Sequence, residues 1–228
     1  MNPTSFVRAL AAITLENVFN PYSDNCAIHD KSDAATTRRK NLLTYLSAAQ
    51  TMEVDTIWMG RDLGYRGGRR TGLALTDECH LIELEKLFPG ATLSRATNGS
   101  AVAERTAAEI WAALRVAPRP PLFWNVFPFH PHEQGSSLTN RRFTAKELAK
   151  VDDLNASLIA WLGVKRVISI GQDAYRYAKQ FGVEVQAVRH PSYGGVMEFR
   201  RGIAGVYGHH SVHSNHTEQQ GCLFATSL

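Results

Sequence analysis

The sequence predicts an α/β fold: a three-layer αβα sandwich around a central, mostly parallel four-stranded sheet. Apolar runs of strand length at 54–59, 122–126, 167–170 and 183–188 are separated by segments with helical spacing of their apolar residues. Strands that alternate with helices build a parallel sheet covered on both faces. The chain of 228 residues is 44% hydrophobic, enough for one substantial core. No repeat and no Pro- or Ser-rich linker divides it, so one domain over 1–207 and a histidine-rich tail over 208–228 are expected.

Each element has its own signal. Phe6, Leu10 and Ile13 recur on one helical face and predict a helix over 3–18, which Asn20-Pro21 stops. Leu42, Leu43, Leu46 and Ala49 give a helix over 34–49 its inward stripe, with Arg38, Arg39 and Lys40 outside. Val54, Ile57, Trp58 and Met59 form the first strand, which empties into a loop dense in glycine and arginine. Thr76 and Asp77 predict the start of a helix whose buried stripe is Leu81, Leu84 and Leu87 and whose end is Pro89-Gly90. A helix over 101–116 is broken by the prolines of 118–121 before the second strand. The pattern over 144–162 predicts the longest helix. Gly163 turns the chain into the third strand, a helix over 173–181 follows, and the fourth strand delivers the chain to Arg189-His190-Pro191-Ser192.

Twenty-five Lys and Arg against 21 Asp and Glu leave a net charge of +4, with positives clustered at 66–70, 141–142 and 200–201, which suits a polyanion partner. Cys26, Cys79 and Cys222 are odd in number and far apart. They fit neither a disulfide framework nor a zinc or iron–sulfur ligand set, and read as free thiols of a cytoplasmic protein. The apolar stretch at 9–15 is too short to span a membrane and runs into Glu16, so neither a secretory signal nor a membrane partner is expected.

Ligands of open α/β sheets bind outside the carboxyl ends of the strands. Asp62 follows the first strand, Asn125 lies in the second and His190 follows the fourth. An acid, an amide and an imidazole are what cleavage of a nucleobase from its sugar needs. A carboxylate orients water and stabilises an oxocarbenium ion, an amide reads a base edge with one donor and one acceptor, and an imidazole donates to the oxygen of the departing base. This chemistry needs no metal, and no cofactor is expected. A rival reading, a metal-dependent hydrolase, rests on His130-Pro131-His132 with His209, His210, His213 and His216. Against it, proline inside the first pair prevents a helical ligand face, and no supporting carboxylate is evident.

These blocks, in this order, resemble the uracil-DNA glycosylase superfamily. Gly60-Arg61-Asp62-Leu63-Gly64 resembles its first motif, best known as GQDPY, and His190-Pro191-Ser192 matches its last, HPS. Gly72-Leu73-Ala74-Leu75 resembles the segment with the base-stacking residue, and Trp124-Asn125-Val126 the strand whose asparagine recognises uracil. The run FWNVFPFHPHEQGSSLTNR is similar to branches with NAFPFHP-like sequences, and the resemblance spans 54–201. It implies a monofunctional enzyme of base excision repair, a monomer that flips deoxyuridine out of DNA, hydrolyses its N-glycosidic bond and leaves an abasic site.

In that reading Asp62 assists water attack, Asn125 reads the uracil edge, His190 stabilises the uracil anion and Ser192 contacts a phosphate. Tyr193, Val196 and Met197 fall where the family has its inserting loop. Arg69, Arg70, Arg200 and Arg201 are the cations expected on DNA. The sequence also departs from the pattern. Leu75 stands where the best-known members have an aromatic stacking residue, and Gly194 where they have the inserting leucine. Gly64 stands where they have a tyrosine that blocks the 5-methyl group of thymine, and Tyr65 or Phe129 is the candidate to replace it. A pocket with Gly64 and Leu75 leaves open a broader specificity for other deaminated or mismatched bases. A non-catalytic DNA-binding module is the remaining alternative, with the intact Asp62 against it. Gly171-Gln172-Asp173 copies the first letters of GQDPY, but helical periodicity begins at once, so Asp173 is read as a helix-start residue.

Overall fold

The computed structural model describes residues 1–217, with side chains through Gly208. Helix α1 (Pro3–Ala11) opens on a capping box in which Asn2 Oδ1 accepts the Ser5 N–H at 2.9 Å. It ends before the expected residue 18 because Asn20 Nδ2 donates to the carbonyls of Leu10 and Ile13 at 2.8 and 2.9 Å, satisfying acceptors at the helix end. Val18–Phe19 forms the short strand β1 instead. The long helix α2 (Ala34–Thr51) leads into β2 (Thr56–Asp62), which extends past the apolar run to include Asp62 itself.

Two short helices follow, α3 (Gly68–Thr71) and α4 (Leu81–Leu87). Asp77 does serve the start of α4 from one turn upstream: its Oδ1 accepts the N–H groups of Cys79 and His80 at 3.0 and 3.2 Å. Next come α5 (Arg105–Leu114), β3 (Leu122–Phe127) and β4 (His130–Pro131), which pairs antiparallel with β1. The helix expected over 144–162 is two. A capping box of Thr144 and Glu147 starts α6 (Ala145–Leu148), the chain turns at buried Val151, and α7 (Asp152–Leu162) restarts on two acids that suit a helix N-terminus. The remaining elements are β5 (Arg166–Ile170), α8 (Gln172–Ala178) continued by a 3-10 turn (Lys179–Phe181), β6 (Glu184–Val188) and α9 (Val196–Thr217). Sequence periodicity missed α9, whose glycines weaken the helical signal. The expected domain boundary at 207/208 falls inside it, and residues 218–228 of the expected tail lie outside the described residues.

The central sheet is four-stranded and parallel, in the order β3-β2-β5-β6. Trp58 anchors one face: its ring lies 5.9 Å from Phe123 and its Nε1 donates to the Tyr207 hydroxyl of α9 at 2.9 Å, while Trp111 of α5 meets Phe123 edge-on at 5.8 Å. On the other face Phe6 of α1 packs 5.6 Å from Trp124 and 6.4 Å from Trp161 of α7. Helices therefore cover both faces, giving the three layers the sequence predicts. The exposed edge of β3 is closed by α2, whose Tyr45 hydroxyl accepts the Phe123 N–H at 2.8 Å. Among the described residues no helix is long and apolar enough to cross a membrane.

Candidate active site

The parallel register decides which side chains meet. Asn125 pairs with Gly60 and Phe127 with Asp62, so Asn125 and Asp62 project from the same face, about 7 Å apart along the strand direction. Gly60 is needed between them: a Cβ there would collide with Asn125 Oδ1 and come within 2.9 Å of Leu75 Cδ2. The bare backbone of Gly60 thus lets the Asn125 amide and the Leu75 methyls close over one spot. Leu75 takes a left-handed backbone, φ 54°, in a non-glycine residue, which is strain held by the surrounding loop.

Asn125 is 1% exposed, yet its Oδ1 has no hydrogen-bond partner. Buried polar atoms are nearly always bonded, and an orphaned carbonyl oxygen costs on the order of 1–3 kcal/mol. The fold carries that cost at the carboxyl end of β3, where a ligand donor can answer it.

The Asp62 side chain is 9% exposed, and its Oδ2 accepts from Arg61 Nε at 2.6 Å. Burial raises its pKa, and the Arg61 hydrogen bond and charge offset this only in part. The ordinary acid form is thereby favoured more than in water, but the arginine keeps an anion within reach.

His190 follows β6 just beyond the pairing of Val188 with Ile170, which brings it level with the end of β2 across the intervening β5. It packs on Gly171, whose φ of 94° only glycine adopts freely. Its Nδ1 lies 3.1 Å from the Ser192 N–H and 2.7 Å from Ser192 Oγ. A backbone N–H can only donate, so Nδ1 is the acceptor and the ring proton resides on Nε2. Burial, with the charges of Arg61 and Arg189, lowers the His190 pKa to about 4. The imidazole is therefore neutral at pH 7 and presents an Nε2–H donor. The charge of Arg61 acts on both His190 and Asp62.

The surface residues divide. Tyr193 is 97% exposed with φ 52°, and Met197 is exposed at the start of α9 beside it. Arg201 is exposed, and Arg200 is half exposed while paired to Glu109 at 2.8 Å. Arg69 and Arg70, expected on the DNA-facing surface, are buried instead. Arg69 Nη1 reaches His130 Nδ1 at 3.0 Å and its guanidinium covers the Phe19 ring at 3.8 Å. Arg70 Nε donates to Glu78 at 2.9 Å and its Nη2 to Thr97 at 3.0 Å. Both therefore brace the loop after β2.

The candidates to replace the missing tyrosine at Gly64 are also placed elsewhere. Phe129 is 0% exposed, its ring 5.4 Å from Phe127 and 6.3 Å from Tyr22. The Tyr65 hydroxyl accepts from Arg66 Nε at 3.0 Å, turned toward the surface. The residue the sequence analysis did not single out is Glu104, whose carboxyl fills the space above Gly64 and Gly67. Nothing in its local sequence marks it; it is drawn in by Asp77 Oδ2, which accepts the Glu104 N–H at 2.7 Å.

The metal reading loses its first ligand. Arg69 donates to His130 Nδ1, so Nε2 carries the proton and donates to the Thr139 carbonyl at 2.7 Å, leaving neither nitrogen free. Among the described residues no group of three or more His, Cys, Asp or Glu is placed to hold a metal. A cavity of about 530 Å³ lined by Arg61, Val126, Arg142, Phe143, Asp173 and Arg176 opens on the opposite face of the sheet from Asn125, since Arg61 and Val126 alternate with Asp62 and Asn125. Asp173 lies in the first turn of α8 and pairs with Arg142 there.

Fold and site together define an α/β protein whose polar cluster is assembled at the carboxyl ends of a parallel sheet. The chain is similar in structure to wild-type SMUG2 of Pedobacter heparinus, with a TM-score of 0.60 over 93% of this chain and 98% of that one, at 14% identity. The likeness shows a shared fold. No family model matches the chain, and no curated protein matches it.

Proposed function

We propose that this protein is a monofunctional DNA glycosylase that hydrolyses the N-glycosidic bond of deoxyuridine in DNA, releasing uracil and leaving an abasic site. The observation that carries the reading is the buried, unpartnered Oδ1 of Asn125 over Gly60, on the same face of the sheet as Asp62. An amide there accepts from the N3–H of uracil and donates to its O4, a pattern that cytosine reverses. Leu75 supplies an apolar floor for the flipped base. As the bond to the sugar stretches, the Asp62 carboxylate stabilises the oxocarbenium ion and orients water on the opposite side. The neutral His190 donates its Nε2–H to O2 of the departing base. A neutral donor stabilises the uracil anion without passing it a full proton, which suits a leaving group that departs as an anion. No lysine belongs to the cluster, so chain cleavage by a lyase step is not part of the proposal.

Flipping leaves a gap in the duplex, and the exposed ring of Tyr193, held out by its left-handed backbone directly after His190-Pro191-Ser192, suits the wedge. Arg201 suits a flanking phosphate. The test is an end-labelled oligonucleotide carrying one U, single-stranded or opposite G or A, treated with alkali after incubation. Strand breakage at U with release of free uracil supports the reading. Binding without breakage in any lane replaces it with a DNA-binding module.

A further inference from the structure

The carboxyl of Glu104 is a group the mechanism above does not use. Its Oε1 lies 2.7 Å from where a Cβ on Gly64 would stand, and its Oε2 would meet a Cβ on Gly67, so it already occupies the volume of a side chain at either position. It reaches there from the turn before α5, fixed through its backbone N–H to Asp77. Among the described residues the carboxyl makes no hydrogen bond. The ionisable groups that act on it are Asp77, just before α4, and Asp62, at the end of β2; neither is a cation. A second and independent sign that this end of the sheet awaits a ligand is Asn125, 1% exposed, with its unpartnered oxygen at Gly60.

We propose that Glu104 is the specificity-determining residue that closes the base pocket on the side Gly64 leaves open, admitting uracil and excluding a base with a methyl group there, thymine. The proposal rests on the reading of the cleft as a uracil site. A C5 methyl group directed at Gly64 would run into the carboxyl that already stands there and would cover it without offering a hydrogen bond, whereas the C5–H of uracil leaves it room and solvent. Phe129 and Tyr65 are not available for this task, being in the core and turned to Arg66 respectively. Burial first, then the charges of Asp77 and Asp62, raise the Glu104 pKa to about 7, which brings its titration into the neutral range. Above that pH a second anion stands beside Asp62 and the departing uracil anion. Cleavage of U is then expected to decline through about pH 7.

The experiment compares wild type, Glu104→Ala and Glu104→Gln on duplexes with U or T opposite G, reading kcat/KM for each base and the pH profile on U. Alanine keeps the backbone bond to Asp77 and opens the wall. It is expected to raise T relative to U by roughly 10- to 200-fold, the range for one methyl in a pocket. Glutamine keeps the volume and so the exclusion of T, but its alkaline decline near pH 7 disappears. An unchanged T-to-U ratio in Glu104→Ala, with U still cleaved, overturns the proposal and leaves the glycosylase reading intact. So does an alkaline decline that persists in Glu104→Gln. A wild type that cleaves neither base removes the glycosylase reading and this proposal with it.

Discussion

Asn125→Val separates a recognition residue from a structural one, because the two roles predict opposite effects on stability. The asparagine oxygen is buried with no partner, so wild type carries an unmet acceptor. Valine is close in size, favours a strand and removes that atom. Relief of the orphan is worth about 1–3 kcal/mol at most, and for a chain of this length each kcal/mol moves Tm by about 2–4 °C, so the variant is expected to melt at or above the wild-type temperature. Activity moves the other way. Loss of the amide leaves two polar groups of uracil desolvated and unpaired at about 1–3 kcal/mol each. At about 1.4 kcal/mol per decade, the cleavage rate is expected to fall by roughly thirty-fold to twenty-thousand-fold. The assay pairs urea unfolding with single-turnover cleavage of a U:G duplex. A variant destabilised by more than about 1 kcal/mol that still cleaves at near the wild-type rate would refute the reasoning and make Asn125 a packing residue.

Three further outcomes are expected. His190 should stay neutral down to a midpoint of about 4 when its ring is followed by NMR, and a midpoint near the ordinary 6.5 would contradict the Nδ1-acceptor geometry. Because the unfolded imidazole binds its proton first, this residue's share of stability is full above about pH 6.5 and is lost as pH falls toward the folded value. Tyr193→Gly relieves a left-handed backbone and should leave Tm unchanged or raised, while slowing cleavage in duplex at least tenfold more than in single strands; equal effects on both substrates would remove the wedge. Arg69→Ala should cost about 2 kcal/mol or more of stability through its lost contacts with His130 and Phe19, whereas Arg201→Ala should leave Tm alone and reduce the salt dependence of DNA binding by about one counterion. A salt slope altered by Arg69 and not by Arg201 would reverse that division.

The parts of this molecule legible in the sequence are those set by local pattern. The apolar runs located all the strands of the parallel sheet, and motif order placed Asp62, Asn125 and His190 at their carboxyl ends, where the register assembles them. What escaped depends on distant partners. Arg69 and Arg70 look like solvent-facing cations within a charged run, and it takes Glu78, Thr97, His130, the Ser137 carbonyl and Phe19, brought in by folding, to make their burial tolerable. Glu104 sits inside the run 101–116 read as helix, but the helix starts only at Arg105, and the place of Glu104 at Gly64 is set by Asp77, 27 residues earlier. Helix ends failed for a related reason: Asn20 terminates α1 with a side chain from beyond the helix, a bond that hydrophobic spacing does not encode.

The most direct test of the central claim is single-turnover cleavage of a U:G duplex by wild type and Asp62→Asn, with binding of the same duplex measured alongside. Asparagine keeps the shape of the side chain and removes the charge that stabilises the oxocarbenium ion, a contribution of the order of 100-fold or more in comparable electrostatic roles. The account predicts that the variant binds the duplex as wild type does and cleaves it at least about a hundred times more slowly. Equal cleavage by the two proteins would show that Asp62 is not the catalytic acid group, and the site at the carboxyl ends of β2, β3 and β6 would have to be abandoned.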